Sequence, residues 1–199
     1  MIRVVLPAVL AGAVALAAAG CMSDDDDEAE IERRQLAQLV LQPRDLPDVW
    51  TQFDAGRQLR ADAPPGERSD PSRFGRIEGW KARYRRPGSQ TTRGPLVIES
   101  RADLFEDSDG ARSDFEAAMQ ALETSGRPFD LPDLGDESYG ATAGDDTAGS
   151  VRFFTVVWRH GNVLATLSVN GFHGRLQAAD VVELARKQQA RIARAANRE

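Results

Sequence analysis

The chain has 199 residues and a formal net charge of −6, from 31 acidic and 25 basic side chains. This negative balance disfavours general nucleic-acid binding, which usually shows an excess of basic residues. Cys21 is the single cysteine, so an internal disulfide and a cysteine-based metal site are excluded. Packing must therefore hold the fold, and the length suffices for one domain with a substantial core.

The first residues have the features of an export signal. Arg3 precedes an apolar run from Val4 to Ala19, and small residues lie just before Cys21. A positive start, a short apolar run and a small-residue cleavage region are typical of secretory signals. The run is also short for a membrane span, which needs about 20 apolar residues.

The segment Ala18-Ala19-Gly20-Cys21 resembles the bacterial lipoprotein signal, in which the cysteine receives a diacylglyceryl group before cleavage. Ala18 departs from that pattern, because leucine is usual at its position. The resemblance implies removal of residues 1–20 and attachment of Cys21 to the extracytoplasmic face of the cell membrane. Two acyl chains together anchor a protein stably. Ordinary secretion and an uncleaved N-terminal anchor remain alternatives.

Acidic residues dominate the stretch after Cys21, with an unbroken run from Asp24 to Glu28. Such runs repel themselves and remain solvated. We therefore expect residues 21–34 to form a lipidated acidic tether and residues 35–199 to form one extracytoplasmic domain. A first short helix is predicted from the spacing of Ile31, Leu36 and Leu39, and Pro43 should stop it.

The rest of the chain predicts strand, turn, strand and helix twice. After a predicted loop at 61–73, alternation from Ile77 indicates one strand, 96–100 a returning strand, and 107–126 a capped helix. The second unit has strands at 151–158 and 163–169, joined by a turn at 159–162. Its helix should bury one set of residues: Val181, Leu184, Ala185, Gln188 and Ile192.

These units predict an α+β fold, an antiparallel sheet with the helices packed on one of its faces. The residues between the units, 140–149, are small and polar and predict a mobile excursion. Short segments also resemble a loose group of exported proteins of high-GC bacteria, and a PsbP-like fold is one arrangement compatible with the pattern. The resembling segments are Asp45-Leu46-Pro47, Gly79-Trp80, 134–137 and 159–163.

The sequence offers few catalytic candidates. His160 and His173 stand in predicted loops, and no paired-histidine metal motif, nucleophile elbow or phosphate loop is present. The acidic pairs 136–137 and 145–146 are interpreted as solvated turn residues rather than as a glycosidase pair. We therefore predict no catalytic residue, no metal and no cofactor, and interpret the chain as a non-enzyme.

Two groups of residues could bind a ligand or partner. A basic set on the first hairpin could face an anionic polymer, a lipid headgroup or an acidic protein. Alternatively, these residues form only the solvent-exposed side of an amphipathic strand. Its members are Lys81, Arg83, Arg85, Arg86, Arg93 and Arg101. An aromatic set could form a ligand or partner patch or belong to the core. Its members are Trp80, Tyr84, Trp158 and Phe172.

These observations favour a membrane-anchored lipoprotein with a noncatalytic binding or interaction domain. Its partners would be the membrane, through Cys21, and an envelope protein or anionic polymer, with no nucleic acid. A carrier of an apolar ligand or lipid is the main alternative, and would need a cavity beneath Trp80 and Trp158. An envelope hydrolase that uses carboxylates is a further alternative.

Overall fold

A seven-stranded antiparallel sheet forms the centre of the fold in the computed structural model, which describes residues 31–58 and 74–197. Its strand order is β1-β2-β3-β7-β6-β5-β4. The strands are β1 Thr51–Gln58, β2 Arg76–Arg85, β3 Val97–Phe105, β4 Arg127–Pro128, β5 Glu137–Ala143, β6 Val151–His160 and β7 Val163–Phe172. The α-helices of the described residues are α1 Leu36–Leu39, α2 Ser108–Ser125 and α3 Ala178–Ala196. The predicted α+β class with an antiparallel sheet is confirmed.

The chain contains more strands than the two predicted units account for. The series β2, β3, α2 and later β6, β7, α3 is present, but β1, β4 and β5 are additional strands. The end of strand β5, residues 140–143, occupies the first part of the stretch 140–149 that the sequence predicts as an excursion. The predicted loop at 61–73, the signal and most of the tether lie outside the described residues.

One face of the sheet, which we call the closed face, packs against α1 and α3. Trp158 and Tyr84 from the sheet meet Leu39 of α1 and Ile192 of α3, and each of these side chains is at most 1% exposed. The predicted inner side of α3 is buried as expected. Its one polar member, Gln188, accepts a hydrogen bond from the Ser100 hydroxyl and donates one to the Arg101 carbonyl. This satisfies the polar group inside the core.

The helix α2 packs on the opposite face, where Phe115 and Ala118 contact a second cluster with Val157 and Leu164. This differs from the expectation that the helices share one face. The physical reason lies in β6, because Trp158 belongs to the closed-face cluster and its neighbour Val157 to the other. A strand that is apolar on both sides needs cover on both sides.

Both ends of α2 follow from local sequence chemistry. The Asp107 side chain accepts a 2.7 Å hydrogen bond from the Gly110 backbone N–H, which satisfies a donor that the helix itself leaves free. Gly126 follows the last helical residue, and its N–H donates to the Leu122 carbonyl. The predicted cap and stop are both confirmed.

Among the described residues, Ile31 is already packed, although it lies ahead of the predicted domain boundary at residue 35. The Ile31 side chain is 3% exposed and belongs to the closed-face core. Its backbone N–H donates to Asn162 Oδ1 at 3.1 Å, and Asn162 Nδ2 donates back to the Ile31 carbonyl at 3.2 Å. Asn162 lies in the turn between β6 and β7, so the chain enters the domain at the end of two central strands.

Candidate functional site

The face that carries α2 is only partly covered by it. Among the described elements, α2 packs against β3, β4, β5, β6 and β7, whereas β1 and β2 make no comparable contact with it, and Thr155 and Ser168 of the central strands stay partly exposed. We call the uncovered part the open face. One row of residues crosses it in register from β1 to β6: Asp54, Arg83, Glu99, Ser168 and Thr155.

Charged side chains on the open face are paired with one another. Arg83 Nε lies 3.1 Å from Glu99 Oε2, and Lys81 Nζ lies 3.0 Å from Asp54 Oδ2. These four side chains are between 22% and 39% exposed. Exposed pairs of this kind contribute little to stability, on the order of 0–1 kcal/mol each. They do hold charged groups of both signs in place on an accessible surface.

Hydroxyl and aromatic groups complete the open face. The Thr155 and Ser168 hydroxyl oxygens lie 3.4 Å apart at the centre of the sheet. Phe53 is 40% exposed at one side, where the guanidinium groups of Arg83 and Arg85 lie 5.0 and 5.4 Å from its ring centroid. Phe153 is 48% exposed on β6. Exposed aromatic rings next to arginines are typical of protein interfaces.

Beneath the covered part of the same face lies a buried ionic cluster. Asp103 accepts hydrogen bonds from Arg76 Nε and Arg101 Nε, both at 2.7 Å, and all three side chains are at most 6% exposed. Burial lowers the pKa of Arg101, but the charge and hydrogen bonds of Asp103 outweigh this and leave that pKa raised. Arg101 is therefore a structural cation held inside the fold.

The predicted basic set is divided among three places. Lys81, Arg83 and Arg85 lie on the open face, whereas Arg101 lies in the buried cluster. Arg86 donates to the Pro95 carbonyl at 2.6 Å and lies over the Trp50 ring, and it lines a separate cleft with Arg93. The prediction of an anionic-ligand face stays a prediction, now restricted to three of its six residues.

Sequence reasoning missed the acidic partners on the open face. Glu99 could have been found, because it stands two positions before Arg101 and must share its side of the strand. Asp54 gave no such signal, since β1 itself was not predicted. These two acids turn a basic surface into one of mixed charge.

The four predicted aromatic residues do not form one surface patch. Tyr84 and Trp158 are 1% and 0% exposed, so they belong to the core, the alternative that the sequence left open. The Tyr84 hydroxyl donates to the Leu41 carbonyl at 2.7 Å, and burial with the nearby charge of Asp45 raises the pKa of Tyr84 to about 12. Trp158 Nε1 donates to Gln189 Oε1 at 2.8 Å. Trp80 and Phe172 are half-buried.

Of the acids at 145–146, Asp146 belongs to a hydrogen-bonded network with two arginines, and both acids line a surface cleft beside the end of α2. Asp146 accepts hydrogen bonds from Arg127 and Arg152, and these bonds lower the pKa of Asp146 to about 2. His173 Nδ1 lies 2.8 Å from Arg152 Nη2. The Ser150 hydroxyl lies 2.7 Å from the carbonyl oxygens of Asp145 and Thr147. The serine hydroxyl is thus directed to the backbone.

The acids at 136–137 are also held by ion pairs. Asp136 Oδ2 accepts a 2.9 Å hydrogen bond from the Gly161 N–H and lies 2.8 Å from Arg159 Nη1. Glu137 Oε1 lies 3.4 Å from Arg112 Nε. His160, predicted as an exposed loop residue, ends β6 and is half-buried beside Asp136. Among residues 31–58 and 74–197, no three histidine, aspartate or glutamate side chains converge as metal ligands.

Comparison with known proteins identifies a solved structure with a similar fold. The chain is similar in structure to the extracellular domain of PknH from Mycobacterium tuberculosis, with a TM-score of 0.62 and 12% sequence identity. The likeness covers 86% of this chain and 100% of that chain, and at this identity it concerns the fold. No family model and no curated protein matches the sequence. Within the described residues, each helix is too short or too polar to cross a bilayer.

Proposed function

We propose that the chain is a membrane-anchored extracytoplasmic lipoprotein whose domain binds a protein partner through the open face, without catalysis. The open face carries this proposal, because it combines ordered charges of both signs, hydroxyl groups and two exposed phenylalanines on one sheet surface. The fold shared with an extracellular domain supports the assigned side of the membrane.

A protein is favoured over an anionic polymer by the charge of the surface. Lys81 and Arg83 each lie near an acidic side chain of the open face, so an anionic polymer would meet carboxylates as well as cations. A protein surface can match such an arrangement with its own paired charges and cover the rings of Phe53 and Phe153.

The absence of catalysis is part of the proposal, and the engagement of Asp146 and Asp136 in ion pairs with arginines supports it. A general acid at neutral pH needs a raised pKa, whereas the pKa of Asp146 is lowered to about 2. A carrier role is less well supported, because Trp158 is 0% exposed in the packed core and its ring nitrogen is hydrogen-bonded to Gln189.

The anchor is tested by metabolic labelling with palmitate. We expect label on the wild-type chain and none on the Cys21→Ala variant, because the thiol of Cys21 is the proposed acceptor. Persistent labelling of the variant would show that lipid is attached elsewhere. An unlabelled wild-type chain released into the medium would instead indicate ordinary secretion.

The binding surface is tested by site-specific photo-crosslinking in intact cells. A photoreactive residue at Ser168, in the centre of the open face, should crosslink one discrete protein. The same residue at Gln120, exposed on α2, is the matched control and should not.

The double variant Phe53→Ala and Phe153→Ala should weaken binding of the captured protein by tenfold or more, because interface aromatics often cost more than 1.4 kcal/mol when truncated. The variant Glu116→Ala with Gln120→Ala on α2 should not. Equal crosslinking from both positions would contradict the assignment of the open face.

A further inference from the structure

A second cationic feature lies on the closed-face side, in a cleft of about 270 Å³ between α1 and α3. Four arginines line it, together with Gln35 and Gln38, and none of its lining residues is acidic. The arginines are Arg34, Arg44, Arg191 and Arg194. This cleft was not expected from the sequence, because its residues come from three separate segments.

Two of the four arginines are already engaged by carboxylates outside the lining. Arg191 holds Asp45 through two hydrogen bonds, Nε at 2.6 Å and Nη2 at 3.1 Å. Arg34 Nε lies 2.5 Å from Glu32 Oε2, and both of these side chains are more than half exposed. The Arg191 pair is largely shielded from solvent and hydrogen-bonded in place, whereas the Arg34 pair is exposed to solvent.

Among the described residues, the other two arginines form no close ion pair, although the Asp45 carboxylate that Arg191 holds also interacts electrostatically with Arg44. Within the described part of the chain, neither Arg44 nor Arg194 has an acidic oxygen within 4.0 Å. Arg194 Nε donates to the Ala190 carbonyl at 2.8 Å, which orients the guanidinium and leaves its two terminal nitrogens available. Arg44 is exposed in the turn before β1. Guanidinium groups bind phosphate oxygens well because their planar donors match the anion in a fork.

The cleft lies at the end of the domain where the N-terminal segment enters. Arg34 is three positions beyond Ile31, which is hydrogen-bonded to Asn162. Gln35 Nε2 donates to the Ala195 carbonyl at 3.2 Å, so the start of α1 is fastened to the last turn of α3. The ten residues from Cys21 to Ile31 can span at most about 35 Å when extended. A domain anchored at Cys21 would therefore keep this cleft near the bilayer.

We infer that the arginine cleft binds the phosphate group of an anionic phospholipid headgroup in the membrane. The inference rests on the proposed anchoring for its biological setting, but the binding itself requires only the domain and the headgroup. Anionic headgroups attract clustered basic residues near a membrane surface, and the attraction is local because salt screens it within about 10 Å. The cleft would orient the tethered domain and leave the open face directed away from the bilayer surface.

The test uses the full chain with Cys21→Ala, so that lipidation cannot contribute, in flotation with vesicles. Vesicles of phosphatidylglycerol and phosphatidylcholine should bind the protein more strongly than vesicles of phosphatidylcholine alone. The variant Arg34→Gln, Arg44→Gln, Arg194→Gln should lower binding to the anionic vesicles by roughly tenfold or more. The charge-matched control is Arg112→Gln, Arg127→Gln, Arg175→Gln, which removes three exposed arginines elsewhere and should change binding less than twofold.

Each alternative outcome is distinguishable. Equal losses in both triple variants would show general attraction by net charge and overturn the cleft. Equal binding to both vesicle types would overturn headgroup recognition. Saturable binding of soluble glycerol phosphate without a vesicle preference would assign the cleft to a soluble phosphate and overturn the membrane assignment. Residues 1–30 are identical in all proteins compared, so a difference between variants comes from the substituted arginines, and unfolding midpoints confirm that each variant is folded. Failure of palmitate labelling would leave this result unaffected.

Discussion

The two faces of the sheet differ in the side chains that they bury and in how much of the face is exposed to solvent. The closed face buries large apolar side chains such as Trp158 and Leu39 against helices along much of its length. The face with α2 buries the ion cluster of Arg76, Arg101 and Asp103 and leaves a polar strip in contact with solvent. The closed face therefore supplies most of the stabilisation, since apolar burial is the dominant favourable term in folding. The other face can carry specific contacts at modest cost to the fold.

The largest expected effect comes from opening the closed-face core. Trp158→Ala should lower the free energy of unfolding by about 3–5 kcal/mol, because it leaves a cavity and an unpaired Gln189 side chain. Denaturant unfolding measures this. Phe153→Ala on the same strand, where the ring is 48% exposed, is the control and should cost about 1 kcal/mol or less. Similar losses for both variants would contradict the difference between the faces.

The buried ion cluster should respond next most strongly. Asp103→Asn removes the negative charge that lies between Arg76 and Arg101, so we expect a loss of about 3 kcal/mol, as for other broken buried pairs. Glu99→Gln on the same strand breaks a half-exposed pair with Arg83 and should cost less than about 1 kcal/mol. Urea unfolding at pH 7 compares the two. If Glu99→Gln costs as much as Asp103→Asn, the open face is part of the stabilising core.

The smallest predicted effect is a dependence on pH at Asp45. Burial raises the pKa of Asp45, but hydrogen bonds from Arg191 and the Gln42 backbone, with nearby arginine charges, leave that pKa lowered. Since the folded pKa lies below the unfolded value of about 3.9, the stabilisation is complete above that value and is lost as pH falls below it. The difference in unfolding free energy between wild type and Asp45→Asn should therefore narrow between pH 4 and pH 2. A constant difference would show that the carboxylate charge contributes nothing.

Elements with strong periodicity were predictable from sequence. The inner residues of α3, the cap and stop of α2, and the hairpin of β6 and β7 all followed from side-chain spacing and local hydrogen-bonding chemistry. Each depends on residues close in the chain, so no knowledge of the tertiary fold was needed.

Strand β5 could not be predicted, because several of its residues are small and because tertiary packing, rather than local sequence, makes this segment a strand. A Cβ at Gly140 would lie 2.7 Å from side-chain atoms of Phe129 and Leu131, so a larger residue would have to displace these two side chains. Small residues often indicate a loop, but in β5 they allow other side chains to pack closely against the strand backbone. The choice of face for α2 likewise depended on contacts between distant strands.

Only part of the candidate site could be predicted. The spacing of Lys81, Arg83 and Arg85 places them on one side of β2, but their acidic partners depend on the sheet register. The arginine cleft depends on the docking of α1 against α3 and has no signature in sequence.

The attachment of Ile31 to Asn162 has a mechanical consequence. Asn162 also exchanges hydrogen bonds with Phe105 at the end of β3, so a pull on the preceding chain acts first on the turn that joins two interior strands. The force is not applied directly to the edge strands, β1 and β4. A protein held by the chain before Ile31 would therefore resist an external force at its interior strands, and its edge strands would not be the first to unfold.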